Sequence, residues 1–151
     1  MPTHRLLVIG FGNTLRRDDG VGVKVAEAVA ELGLAGVTVI TRHQLVPELA
    51  EPISQAGTVI FVDAVANTFA PVELRQVEPA AAAQILAHAA DPGTLLALAR
   101  EIFNRHPAAW TVAIPGEDFN FGEGLSPLAE AGLHAALAQI KKLVTVQCGL
   151  P

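Results

Sequence analysis

The chain has 151 residues, 51% of them hydrophobic and 17% charged, which suits one domain with a real core and excludes a disordered chain. Its formal net charge of -5 excludes the basic stripe of a nucleic-acid binder. The lone cysteine, Cys148, excludes an internal disulfide and suits a reducing compartment.

The apolar run 6–9 is too short for a secretory leader, and Arg16 and Arg17 soon follow it. Gln84 and His88 interrupt the alanine-rich tract, and Lys141 and Lys142 interrupt the last helical segment, so no apolar run reaches membrane-spanning length. The expectation is a cytoplasmic protein, one domain over 1–151, with neither membrane nor nucleic acid as a partner.

In chain order, RLLVIG (5–10) is a continuous apolar run, as a buried parallel strand should be. Val21, Val25, Val29 and Leu32 then recur at helical spacing, with Gly33 as a stop. VTVITR (37–42) reads as a second strand, and PELAEPIS (47–54) as a short helix with Pro47 in its first turn. TVIFVDA (58–64) is a third strand, apolar until Asp63. VELRQV (72–77) alternates apolar with polar residues, the mark of a half-exposed edge strand.

Asp91-Pro92 reads as an N-cap followed by proline at the first helical position, opening a helix to about residue 104. AWTVAIP (109–115) is the fifth strand, and Ser126-Pro127 repeats the cap signal before a helix to about residue 146. Cys148 is placed in a tail beyond it. Strands alternating with helices give an α/β fold: a single-domain, three-layer sandwich with a twisted, mostly parallel five-stranded sheet and helices on both faces.

Open sheets of this kind bind ligands beyond the carboxyl ends of their strands. The first strand leads there to Asn13, Asp18 and Asp19, the second to Arg42, His43 and Gln44, and the third to Asp63. Asp63 alone is equally consistent with a turn cap. With Asp18, Asp19 and His43 on the same rim it becomes part of a carboxylate–imidazole cluster, a candidate metal or acid–base site.

Gly10-Phe11-Gly12 begins like a dinucleotide fingerprint, but Leu15 holds the third glycine position and two aspartates would repel a pyrophosphate. The only serines are Ser54, at a helix end, and Ser126, a cap, and no G-x-S-x-G elbow is present. Water activated by carboxylates or a metal is what remains for a hydrolase. Of the five histidines, His88 just precedes the Asp91-Pro92 helix start. An antiparallel fourth strand would end at the sheet's far edge, and residues 78–90 span roughly 40 Å, enough to return the chain to the rim. Position alone leaves His88 open between ligand and surface residue.

The segment GFGNTLRRDDGVG (10–22) closely resembles the signature G-x-G-N-x-L-x-x-D-(D/E)-G-x-G of the hydrogenase maturation endopeptidases. VDA (62–64), HAADPGTLLAL (88–98) and IPGEDFNFGEGLSP (114–127) agree with that family too. The resemblance implies an endopeptidase that removes a C-terminal extension from the large-subunit precursor of a NiFe hydrogenase after nickel insertion. The family's metal-contacting positions match Asp19, Asp63 and His88, which the resemblance makes the catalytic and metal residues. Nickel would be carried by the precursor, with no tightly bound metal in the resting enzyme. The nickel would report that insertion is complete, or act as a Lewis acid, with Asp19 or Asp63 alternatively serving as general base.

One segment departs from the family pattern. HQLVPEL (43–49) stands where many members carry an Asp-Gly-Gly-Thr-like sequence, and it looks like the variant serving bidirectional or NAD-linked hydrogenases. His43 and Gln44 are accordingly either a simple loop leading into a helix or substrate contacts. Phe119 and Phe121, in an aromatic-poor chain, are candidates for gripping the substrate tail. Asp18 is expected to cap the following helix or brace the turn, Asn13 to fix the loop, and Arg16 and Arg17 to be a solvated pair. Two rivals stand beside the peptidase: a non-catalytic nickel-handling assembly factor using the same residues, and a nucleotide-binding domain.

Overall fold

The computed structural model describes residues 5–66, 71–81 and 91–148. Leu6–Phe11 forms β1, whose leucine, valine and isoleucine side chains are buried on both faces, as a central parallel strand requires. β2 (Val37–Arg42) and β3 (Thr58–Val65) flank it in parallel, Leu6 standing opposite both Val37 and Thr58. β5 (Ala108–Pro115) continues the parallel sheet beside β3, with Asp63 opposite Ala113. β4 (Glu73–Gln76) closes the edge antiparallel to β5, giving the order β2-β1-β3-β5-β4. The alternating pattern of β4 is thus that of an edge strand.

Four helices cover the sheet among the described residues: α1 (Val21–Glu31), α2 (Ala50–Gln55), α3 (Pro92–Phe103) and α4 (Pro127–Cys148). The period of two along each strand sorts the core into two layers. Val8, Ile60, Val62, Val112 and Ile114 pack against Val21 and Val25 of α1 and Ile140 and Val144 of α4. Leu7, Ile9, Val59 and Phe61 pack against Ile53 of α2 and Leu95 and Leu96 of α3. The α/β sandwich is therefore three layers deep.

Helix starts follow their cap chemistry. The Asp91 carboxylate accepts from Thr94 N–H at 2.8 Å with Pro92 behind it, and Ser126 Oγ accepts from Ala129 N–H at 3.2 Å. Asn104 ends α3 in the left-handed region at φ 65°. Cys148 is not in a tail: α4 runs on to include it as its last residue. No helix among the described residues is long and apolar enough to cross a membrane.

The strand order fixes where a ligand can enter. From β1 the chain moves outward to β2, then returns across β1 to β3, placing α1 and α2 on opposite faces. The connections leaving β1 and β3 therefore diverge, and a crevice opens between their carboxyl ends. Gly10–Phe11 and Asp63 both stand at that switch point.

Candidate functional site

Residues 12–20 border the crevice as a tight loop ending in a 3-10 turn, Arg17–Gly20, that runs directly into α1. Gly12 holds φ at +139°, and a Cβ there would fall 2.0 Å from the carbonyl oxygen of Asp19, so only glycine lets the loop fold back this closely. The fold-back brings Asn13 N–H to Asp19 Oδ2 at 2.8 Å. Asn13 Oδ1 accepts from Leu15 N–H at 2.9 Å, the loop-fixing role expected of it. Gly12 N–H also meets the carbonyls of Arg42 and His43, which ties the end of β2 to the same loop.

The adjacent aspartates have opposite fates. Asp18 is fully buried and braces the loop after β5 instead of capping α1. Its Oδ2 accepts from Glu117 N–H, Asp118 N–H and the Ser126 hydroxyl at 2.8, 3.0 and 2.6 Å, and its Oδ1 from Ser126 N–H at 2.8 Å. Burial alone would raise its pKa; the Ser126 hydroxyl and the three backbone donors outweigh it and hold Asp18 below the usual carboxylate range. Gly116 N–H in turn donates to Val65 O, so this clasp joins the Asp19 loop to the strand that carries Asp63.

Asp63 is half-buried, with Oδ1 accepting from Ala64 N–H at 2.8 Å. Burial pushes its pKa up to about 6; the Ala64 N–H opposes the rise, and the charge of Asp19 adds to it. The two carboxylates thus lie within each other's field. Each has one oxygen fixed by a backbone donor and one with no hydrogen-bond donor among the described residues. This donor set fits a divalent cation arriving from outside: two hard oxygens, oriented and open. No group of three potential ligands occurs among the described residues. His88 lies outside the described residues.

Residues 82–90, on which the expected return of 78–90 to the rim rests, lie outside the described residues. Ala80 N–H donates to Gly93 O at 2.9 Å, so the chain already stands beside the start of α3 at residue 80.

His43 is exposed and, with Gly12, Thr14, Val23, Thr41 and Arg42, lines a cavity of about 190 Å³ next to the Asp19 loop. Gln44 is exposed beyond it. Phe119 is half-buried and turned toward Gly116, whereas Phe121 is 82% exposed. The Arg16 and Arg17 side chains are solvent-exposed, as expected, and also bond across to the loop after β5. Arg16 Nε donates to Phe119 O at 3.1 Å, Arg17 Nη1 donates to Glu123 O at 3.3 Å, and Arg17 pairs with Asp118 at 3.6 Å. These partners lie about a hundred residues away in sequence, where no local pattern signals them.

The chain shares its architecture with several solved structures. It superimposes on hydrogenase maturating endopeptidase HybD from E. coli with a TM-score of 0.73 at 21% identity, covering 93% of this chain and 91% of that one. The NiFe hydrogenase maturation protease HybD from Thermococcus kodakarensis gives 0.69 at 22%, covering 92% and 98%. HycI from Thermococcus kodakarensis KOD1, a NiFe hydrogenase maturation protease, gives 0.68 at 22%, covering 94% and 93%. The chain has the hydrogenase maturation endopeptidase fold. No protein-family model and no curated protein matches the sequence.

On this endopeptidase fold the chemistry available at the crevice is that of carboxylates. Ser54 Oγ is buried and committed to Glu51 O at 2.6 Å, and Ser126 Oγ is shared between Asp18 and Ala129 N–H. Neither hydroxyl is free to attack. The Asn13 backbone N–H, which a phosphate loop would offer to its ligand, is already taken by Asp19. Asp63, poised near 6, can accept a proton from water, and Asp19 can hold a cation or orient that water.

Proposed function

We propose that this chain is an endopeptidase that removes a C-terminal extension from the large-subunit precursor of a NiFe hydrogenase after nickel insertion. The observation that carries the reading is the pair Asp19–Asp63 at the β1/β3 switch point, each with one fixed and one open oxygen. The fold shared with proteins named as hydrogenase maturation proteases supports it.

In this reading Asp19 and Asp63, with His88 as the third ligand, engage nickel that belongs to the precursor. That ion supplies a Lewis acid at the scissile carbonyl when bound. As the alternative to ligating nickel, Asp63 serves as general base and takes the proton of the attacking water, while the Asn13 backbone N–H holds Asp19 in place. His43 and Gln44 flank the substrate path on the β2 side and Phe119 and Phe121 on the β5 side. The reaction takes place in the cytoplasm, in keeping with a single cysteine.

The test is incubation of the protein with a nickel-loaded large-subunit precursor, read by intact mass. The expected result is loss of a C-terminal peptide. A precursor that stays full length yet co-purifies with the protein would identify an assembly factor instead.

A further inference from the structure

Loops 13–17 and 118–123 meet beside the carboxylate pair as a short wing. Arg17 N–H donates to Gly122 O at 3.0 Å and Gly122 N–H to Leu15 O at 2.8 Å, with Arg16 opposite Gly122 in parallel register. Arg16 Nε, Arg17 Nη1 and the Arg17–Asp118 ion pair cross-link the same loops, and the buried Asp18 anchors their base. A Cβ on Gly122 would fall 2.9 Å from the Arg17 guanidinium, and Arg17 itself holds φ 46°, a left-handed backbone that the surrounding bonds must maintain. This is a built element.

The element buries little of what it carries. Parallel register sets Leu15 opposite Phe121, and these side chains are 58% and 82% exposed. Arg16 lies with its guanidinium 5.6 Å from the Phe121 ring centroid and forms no ion pair among the described residues, while Arg17 is paired. Apolar side chains on a cross-linked backbone beside an uncompensated cation form a preorganised anchor, because docking then costs little backbone ordering entropy. The complement is an apolar side chain next to a carboxylate. A second copy of this chain is a poorer occupant, since a two-fold contact centred on the wing would set Arg16 against Arg16.

We propose that Leu15, Arg16 and Phe121 form an exosite that docks an extended segment of the substrate polypeptide, one bearing an apolar residue beside an acidic one. This rests on the endopeptidase reading. The wing and Asp19 belong to one loop, so a segment held there is held by the loop that also carries one of the paired carboxylates.

The experiment uses the full chain with a nickel-loaded large-subunit precursor, reading kcat and KM by intact mass. Affinity is measured separately by calorimetry in an Asp63→Asn background, where cleavage does not intervene. Phe121→Ala should raise KM and Kd about tenfold with kcat held within about twofold. Arg16→Gln should raise both about threefold and flatten their salt dependence, and Arg16→Lys should restore most of the affinity. Unchanged KM and Kd in Phe121→Ala and Leu15→Ala, with wild-type cleavage intact, would overturn the exosite alone. The same result with self-association lost in sedimentation would assign the patch to a second copy and overturn it too. Binding without wild-type cleavage, still weakened by Phe121→Ala, would uphold the exosite and remove the endopeptidase reading. Neither binding nor cleavage would remove both.

Discussion

At the scale of single residues, Asp63 carries a conflict between stability and function. Its pKa is raised from 3.8 to about 6, so the folded state disfavours its charge. The sign follows: well below pH 3.8 Asp63 is neutral in both folded and unfolded chains and costs nothing, and the cost grows as pH rises from there through 6. At neutral pH it is on the order of 2 kcal/mol after partial screening by solvent. Asp63→Asn should therefore abolish precursor processing yet raise Tm at pH 7.5, with the gain shrinking to nothing below about pH 3. Thermal unfolding at the two pH values checks this; a variant that is less stable at pH 7.5 would contradict the burial argument. With Asp63 as general base, kcat/KM of the wild type should decline as pH falls below about 6, and a profile flat through that pH would remove Asp63 from the base role.

Elements show why the neighbouring aspartate behaves differently. Asp18 and Asp19 lie in a 3-10 turn, which rotates successive residues by about 120°, so Asp18 is buried while Asp19 stays half-exposed. Sequence spacing cannot say which is which, and the choice between capping and bracing stayed open for that reason. The strands, by contrast, were legible as apolar runs between turn signals, and α3 and α4 as Asp-Pro and Ser-Pro starts, because those signals are local. The wing was not legible: Arg16 and Arg17 meet residues 118–123 only through the fold. His88, expected as a ligand, falls outside the described residues.

The clasp itself can be tested as an element. Asp18→Asn loses an oxygen acceptor and turns an amide toward donors, so it should destabilise by about 3 kcal/mol, read as a Tm drop of roughly 10 °C. Because the native pKa of Asp18 is depressed, its contribution is present above the unfolded value of 3.8 and lost as pH falls below it. The variant and wild type should thus converge in stability at acid pH. Ser126→Ala should cost less than Asp18→Asn, since the Asp18 carboxylate keeps three backbone donors. Equal losses from both would mean the hydroxyl carries the clasp.

For the whole molecule, the crevice at the switch point supplies two open carboxylate oxygens, which are hard ligands without a thiolate. Even completed by one imidazole such a site exchanges a divalent cation readily, because three side chains leave its coordination open. The purified protein should hold little or no metal. A nickel ion anchored firmly in the precursor is different: its open positions would register the scissile bond against Asp19 and Asp63, and without it the bond has nothing to dock it in the crevice. Cleavage should then depend on the cargo and not on metal added to the enzyme. The measurement compares nickel-free and nickel-loaded precursor at equal protease concentration by intact mass, with metal content of the enzyme read beforehand by elemental analysis. The expected outcome is processing of the loaded precursor alone by an enzyme that contains substoichiometric metal. Equal processing of both precursors would eliminate nickel as a checkpoint, and a stoichiometric, non-exchanging zinc in the enzyme would assign the carboxylate pair to a resident metallopeptidase centre.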